Sequence, residues 1–285
     1  MRLLTITRLT FLEAARRKIA LAALLLGVAF LVLYATGFYF IATETGLPGE
    51  GLQSSQLIRN QVFGFFTNAG MYAVNFLTIA MGALVSADTL AGEIGSGTIQ
   101  TLATKPARRA EIVLGKWLGF ALLIGAYLAF MFSGLMLIVY SIARYSVPNV
   151  FLGVALIYFE CVLIMTLTLA CSSRFSTLAT GGIVFGMYGL AFIGGFVEQV
   201  GAIFRNQGVV NVGIISSLIL PSEALFRRAA YEMTSPLGQA AAAVGMPSGP
   251  MLVISIPSPM MIVYGAFYLL VMLGIAIWVF QRRDL

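Results

Sequence analysis

The 285-residue sequence has no histidine, only two cysteines and only 10% charged residues, where an ordinary soluble domain has roughly a quarter of its residues charged. Each shortage excludes something. Without histidine there is no imidazole base or metal ligand, and two cysteines make no zinc site of their own. Cys161 and Cys171 fall within one apolar run, about 15 Å apart along a helix, too far for a disulfide. The scarcity of charge excludes a soluble globular domain. Apolar residues take its place, at 60% of the chain with a mean hydropathy of +0.96. The net charge of +6 raises the question of nucleic acid. However, the basic residues lie in short segments beside apolar runs, where they meet lipid headgroups and set orientation. The partner they indicate is the lipid bilayer, and nucleic acid is not expected.

An apolar stretch of about 20 residues crosses the hydrocarbon of a bilayer as a helix. Six segments qualify, Ile19–Ala42, Asn68–Ala87, Trp117–Tyr140, Val150–Cys171, Thr177–Val197 and Met260–Phe280, with Glu160 the one charge inside them. The expected fold is therefore an all-α integral membrane protein with six transmembrane helices, forming a single transmembrane domain over residues 1–285. The first run resembles a signal peptide in following Arg16, Arg17 and Lys18. It is longer than the usual apolar region of a signal peptide, and no small-residue cleavage site follows it, so it is expected to stay in the membrane.

Lys and Arg are retained on the cytoplasmic side. With the N-terminus inside, the inner segments hold Arg2, Arg8, Arg16, Arg17, Lys18, Lys105, Arg108, Arg109, Lys116, Arg174, Arg282 and Arg283, twelve of the 17 basic residues. The outer segments hold Arg59, Arg144, Arg205, Arg227 and Arg228. Both termini are expected to be cytoplasmic. Residues 1–18 are expected to form an interfacial helix, with Leu3, Leu4, Phe11, Ala14 and Ala15 on one face and Arg2, Glu13, Arg16 and Arg17 on the other. Ile6 and Leu9 fall on the polar side, and a short solvated lead-in remains the alternative. Residues 198–259 are expected to form an extracytoplasmic loop with short, re-entrant helices. Val209–Leu220 spans only about 18 Å as a helix, Pro221 closes it, and Ser222–Met233 follows as a second short helix. Pro247, Pro250, Pro257 and Pro259 exclude a seventh span at Met251–Ile256.

Residues 88–116 carry the most information. GEIGSGT, Gly92–Thr98, resembles a phosphate-binding loop, but Thr98 stands where lysine is required and a membrane span precedes it. Nucleotide binding on this chain is therefore rejected. Instead Ser96 or Gly97 caps a short helix over Thr98–Thr104, with Ile99, Leu102 and Ala103 on one face. Pro106 ends it and opens the next helix. Such a helix, with an apolar edge amid charge, suits docking of a soluble partner; periodicity alone leaves an ordinary inter-span loop equally open.

The arrangement GEIGSGTIQTLATKPARRAEIVLGKWLG, with Glu93, Gly97, Thr98, Leu102, Pro106, Arg109, Gly115 and Lys116, resembles the first cytoplasmic loop of exporter-type ABC transporter permeases. These are the six-span membrane subunits of the type-two family. PSEALFRRA and the closing FQRRDL agree with the resemblance. It implies a cytoplasmic coupling loop over 88–116, with Glu93, Gly97, Thr98, Ile99, Leu102, Pro106 and Arg109 coupling to the groove of an ATP-binding cassette ATPase subunit. It also implies a second permease copy, a multi-pass location in the prokaryotic cytoplasmic membrane, and ATP and Mg on the partner chain, with no cofactor on this one.

Glu160 lies at the middle of the fourth span, where a carboxylate is expensive. It is expected to be hydrogen-bonded to a neighbour such as Asn75, Tyr127 or Thr166, or to face a wet cavity as a substrate or proton site. Glu160 and Asn75 are thus the candidate intramembrane polar site, and a proton-coupled secondary transporter using Glu160 is the alternative function. An intramembrane hydrolase would need a histidine base, a metal-ligand set or a second carboxylate within the spans. The glycine pairs Gly115 with Gly119 and Gly182 with Gly186 are expected to allow close helix approach.

Overall fold

A computed structural model describes residues 2–44, 52–95, 109–234, 239 and 255–282. Among these residues there are nine helices and no strand. They are α1 (Arg2–Arg16), α2 (Lys18–Glu44), α3 (Leu52–Gly95), α4 (Arg109–Ala143), α5 (Val150–Ser172), α6 (Thr177–Ile203), α7 (Gln207–Ile219), α8 (Ser222–Glu232) and α9 (Met260–Gln281). Six helical stretches are long and apolar enough to cross a membrane: Lys18–Thr43, Val62–Asp88, Ala110–Ala143, Val150–Ser172, Thr177–Ile203 and Met260–Gln281. They coincide with the six expected spans.

The helices overrun the apolar runs at several ends. α3 begins at Leu52, well before the span, because Gln53, Gln56, Arg59, Asn60 and Gln61 are tolerated in a helix but interrupt an apolar run. α6 runs on past Val197 to Ile203, so Glu198 is helical and the expected loop starts only after it.

α5 is the centre of the bundle. Every residue from Glu160 to Ala170 is buried, as expected for a helix that is apolar on all sides. α3, α4, α6, α8 and α9 pack around it. α2 lies at the edge and shows Leu21, Leu25, Val32 and Leu33 to the outside, which suits lipid. Several aromatic residues of the spans fasten helices together. The Tyr34 hydroxyl donates to the Phe66 carbonyl at 3.1 Å, the Trp117 indole to Thr166 Oγ1 at 2.7 Å and the Tyr158 hydroxyl to the Ala121 carbonyl at 3.1 Å. By contrast, Trp278 is exposed, with the Arg282 guanidinium 4.3 Å above its ring, a cation–π contact suited to the membrane interface.

α1 is helical as expected but presents a different face to the bundle. Thr7, Thr10 and Ala14 are buried, Ile6 is half-buried, and Leu4 and Ala15 are exposed. Ile6, assigned to the polar side from the sequence, turns inward because α4 offers it a glycine. A Cβ at Gly115 would lie 2.6 Å from Ile6 Cγ2, and one at Gly119 would lie 2.8 Å from Thr10 Cβ and 3.0 Å from the Thr7 carbonyl oxygen. The expected close approach at Gly115 and Gly119 is thus made, by α1 on α4. Among the described residues Gly182 and Gly186 meet nothing within 4 Å, because that face of α6 turns away from the other described helices. Gly119→Val is expected to push α1 off α4, with a loss of about 1–3 kcal/mol, the usual cost of overpacking. Equilibrium unfolding in detergent would measure the loss, and an unchanged midpoint would show that the contact is not made.

The region after α6 folds back on it. The Asn206 side chain caps α7, its Oδ1 accepting from the Gly208 and Val209 amides at 3.0 and 3.4 Å. α7 then runs beside α6. Glycine lets the two helices close up: a Cβ at Gly201 would lie 2.8 Å from the Val210 amide nitrogen, and one at Gly213 would lie 2.7 Å from the Gly194 carbonyl oxygen. After Pro221 the chain bends by 108° into α8, which is buried along most of its length. The two short helices expected here are present, and α8 reaches into the bundle against α5. The expectation for Met251–Ile256 falls mostly outside the described residues.

Candidate functional site

The two sequence candidates lie in different parts of the molecule. Of the proposed coupling residues, Glu93 is in the last turn of α3 and Arg109 opens α4. Gly97, Thr98, Ile99, Leu102 and Pro106 lie outside the described residues, as does the helix expected over Thr98–Thr104.

The intramembrane candidates are brought together. Asn75 on α3 donates from Nδ2 to Glu160 Oε2 at 3.1 Å, and its Oδ1 accepts from the Cys161 thiol at 3.7 Å. Asn75 is therefore the partner that Glu160 takes from the three considered. Tyr127 donates instead to the Ala23 carbonyl at 3.0 Å, and Thr166 bonds Trp117 and the Val162 carbonyl. Glu160 is fully buried, and its Oε1 has no partner among the described residues. A buried polar atom without a partner costs about 1–3 kcal/mol, so this oxygen is the one unmet hydrogen-bonding position of the Asn75–Glu160 pair.

One turn before Asn75 on the same face of α3, the Tyr72 hydroxyl donates to Glu223 Oε2 at 2.9 Å. The Phe226 ring holds Tyr72 edge-on, with centroids 4.6 Å apart. Glu223 belongs to α8 and fits against α6 where Gly195 leaves room for it. Burial pushes its carboxyl up to about 7, against the opposing pull of Tyr72 and Arg227. Glu160 is within electrostatic reach of Glu223.

One turn further along α8, Arg227 pairs with Glu198 of α6 at 2.7 Å, both side chains being only 5% exposed. Glu198 Oε1 accepts from the Ser255 hydroxyl at 2.5 Å. Next to it the Gln199 side chain both donates to the Ser255 carbonyl at 3.2 Å and accepts from its amide at 3.1 Å. The groups form a polar column leading from the loop between α6 and α9 inward to Glu160, with α3, α5, α6 and α8 each supplying a wall. Sequence reasoning had Glu160 and Asn75, because polar residues stand out inside apolar runs. It missed Tyr72, Glu198 and Glu223 as members and read Arg227 as a loop charge. PSEALFRRA carried the signal, since Glu223 and Arg227 are spaced i, i+4 and share one helical face.

The column contains no group of three or more metal-ligating side chains among the described residues. Its chemistry is hydrogen bonding and charge, inside a bundle with six helices long and apolar enough to cross a membrane. A family profile described as ABC-2 family transporter protein matches residues 4–285. The chain belongs to the ABC-2 transporter family and is a membrane permease of it. Membership implies an ABC ATPase partner and a multi-pass membrane location. A comparison with curated proteins gave no match.

Proposed function

We propose that this chain is the permease subunit of an ATP-driven exporter, a single transmembrane domain that works as a pair with separate ATP-binding subunits in a prokaryotic cytoplasmic membrane. The family match over 4–285 carries this reading. Charge supports an orientation with both chain ends in the cytoplasm: taken with six spans, Arg16, Arg17, Lys18, Arg174 and Arg282 gather on one face, and Lys and Arg favour the cytoplasmic side. The 88–116 loop lies on the same face, between the second and third spans, with Glu93, Gly97, Thr98, Ile99, Leu102, Pro106 and Arg109 as its coupling residues. Closure of the paired ATPases on ATP moves the helix expected at Thr98–Thr104, and the spans of two permeases re-pack to switch access. The open face of α6 at Gly181, Gly182, Gly186 and Gly189 gives a second copy room to approach. The polar column lies in the half of the bundle away from the ATPase.

The test is transport in inverted vesicles from cells co-expressing this chain and its ATPase. Uptake that follows ATP and survives collapse of the pH gradient supports the exporter. Uptake that follows the gradient without ATP overturns it.

A second function, proton-coupled transport through Glu160, has the unpartnered Oε1 of that carboxyl in its favour. Glu160→Gln separates the two. Glutamine keeps the shape and still accepts from Asn75, so an ATP-driven permease with this substitution is expected to retain nearly all its transport. Loss of transport at normal membrane levels would instead make Glu160 the proton site.

A further inference from the structure

The polar column is short of positive charge. Glu160, Glu198 and Glu223 are all buried, and among the described residues Arg227 is the one cation bonded into the column. Its guanidinium gives one N–H to Glu198 at 2.7 Å, while its Nε and Nη1 have no hydrogen-bond partner among the described residues. A carboxylate out of water is costly unless a cation or a proton neutralises it. One guanidinium cannot serve three carboxyls, so the column needs protons as well.

Glu223 is placed to take one. It lies outside the six spans, in the first turn of α8, directly after the 108° bend. Its surroundings come from several helices. α3 presents Tyr72, whose hydroxyl donates to Glu223 at 2.9 Å. α5 presents Glu160, with the Cys161 thiol beside it bonded to Asn75, and α6 presents Glu198 and Tyr188. α7 has no titratable side chain. On α9, Tyr264 donates to the Leu218 carbonyl and its ring lies beside that of Tyr268. On α8 itself Arg227 is one turn away, and Arg228 is taken by Glu232 at 2.6 Å. Glu223 thus faces two other carboxyls and a guanidinium already engaged by one of them.

We propose that Glu223 is a proton-binding site that governs the seating of α8: with the proton bound the helix stays lodged against α3, α5 and α6, and loss of the proton loosens it about the bend at Pro221. Burial holds the Glu223 carboxyl at about 7, above the value of about 4.3 that glutamate has in water. The seated state therefore binds more protons than a released one, and seating weakens as the pH rises from the lower value to the higher. This holds whatever drives transport, because neither the ATPase nor ionisation of Glu160 takes part.

The test follows hydrogen exchange of the α8 amides in the full chain in detergent, corrected for the intrinsic exchange rate at each pH. The chain has no histidine, so no side chain of ordinary acidity obscures the range around neutrality. Protection of α8 is expected to fall about 25-fold between about pH 5.5 and pH 8, the change set by the two values for Glu223. Glu223→Gln stays neutral and still accepts from Tyr72, so its protection is expected to be flat across the range. Tyr72→Phe removes a donor that favours the charged carboxylate, so the fall is expected at higher pH. Glu160→Gln is expected to leave the response in place. A flat wild-type profile, or a Glu223→Gln variant that keeps the wild-type fall, would overturn the site. Loss of the fall in Glu160→Gln would also overturn it, by assigning the proton to Glu160.

Discussion

Truncating Ile99 and Leu102 together to alanine is expected to weaken binding of the partner ATPase by well over tenfold while the permease still inserts and folds. Burial of one Leu or Ile side chain is worth roughly 1.5–3 kcal/mol, and 1.4 kcal/mol is about a factor of ten in affinity. Alanine keeps part of each side chain, yet two truncations at one apolar edge still exceed that factor. The spans are stabilised within lipid, away from this loop, so membrane levels stay unchanged. Reversing the charge of Glu93 or Arg109 is expected to weaken docking more at low salt than at high salt, because screening is then least. The readout is co-purification with a co-expressed ATPase together with ATP turnover. A double variant that recovers its ATPase at the wild-type yield and hydrolyses ATP normally would remove the coupling role from this loop.

The second large effect is expected at Arg227. Its ion pair with Glu198 is buried on both sides, and removing one partner of such a pair typically costs about 3–5 kcal/mol because the other charge is left without compensation. Arg227→Met alone is therefore expected to lower the stability of the detergent-solubilised chain by about that amount. Combining it with Glu198→Gln removes the stranded charge while the amide still bonds Ser255, and most of the loss is expected to return. Unfolding curves of the wild type, the two single variants and the double variant give the coupling between the residues. If the double variant is as unstable as the sum of the singles, the two side chains do not interact in the folded protein.

The spans were legible because a bilayer demands long apolar runs, and composition alone reveals them. Their ends were less so. α3 and α6 continue through polar residues such as Arg59 and Glu198, which tolerate a helix without looking like a span. Glu160 and Asn75 stood out for lacking apolar character, and their bond joins residues on two spans. The Tyr72–Glu223 bond had no such signal, because Tyr72 is an ordinary aromatic in a span and Glu223 sits in a short helix expected within the extracytoplasmic loop. Only the 108° bend after Pro221 carries that segment back into the bundle. The facing of α1 was misread for a related reason. The buried side of a weakly amphipathic helix is decided by what it packs on, and Gly115 and Gly119 admit Ile6 and Thr10 more closely than any larger residue would.

That same glycine contact determines how motion can travel. α3 runs to Gly95 and α4 begins at Arg109, so both helices extend into the 88–116 loop. α1 is packed against the first turns of α4 and is joined to the last residue of the second span through Arg17 and Asp88. Both arms of the loop are thereby clamped to one short helix, which continues through Arg17 directly into the first span. A displacement of the loop that keeps these contacts must drag α1 with it and tilt α2. On the reading proposed above, the N-terminal helix would act as a crossbar through which a push on that loop reaches three membrane helices.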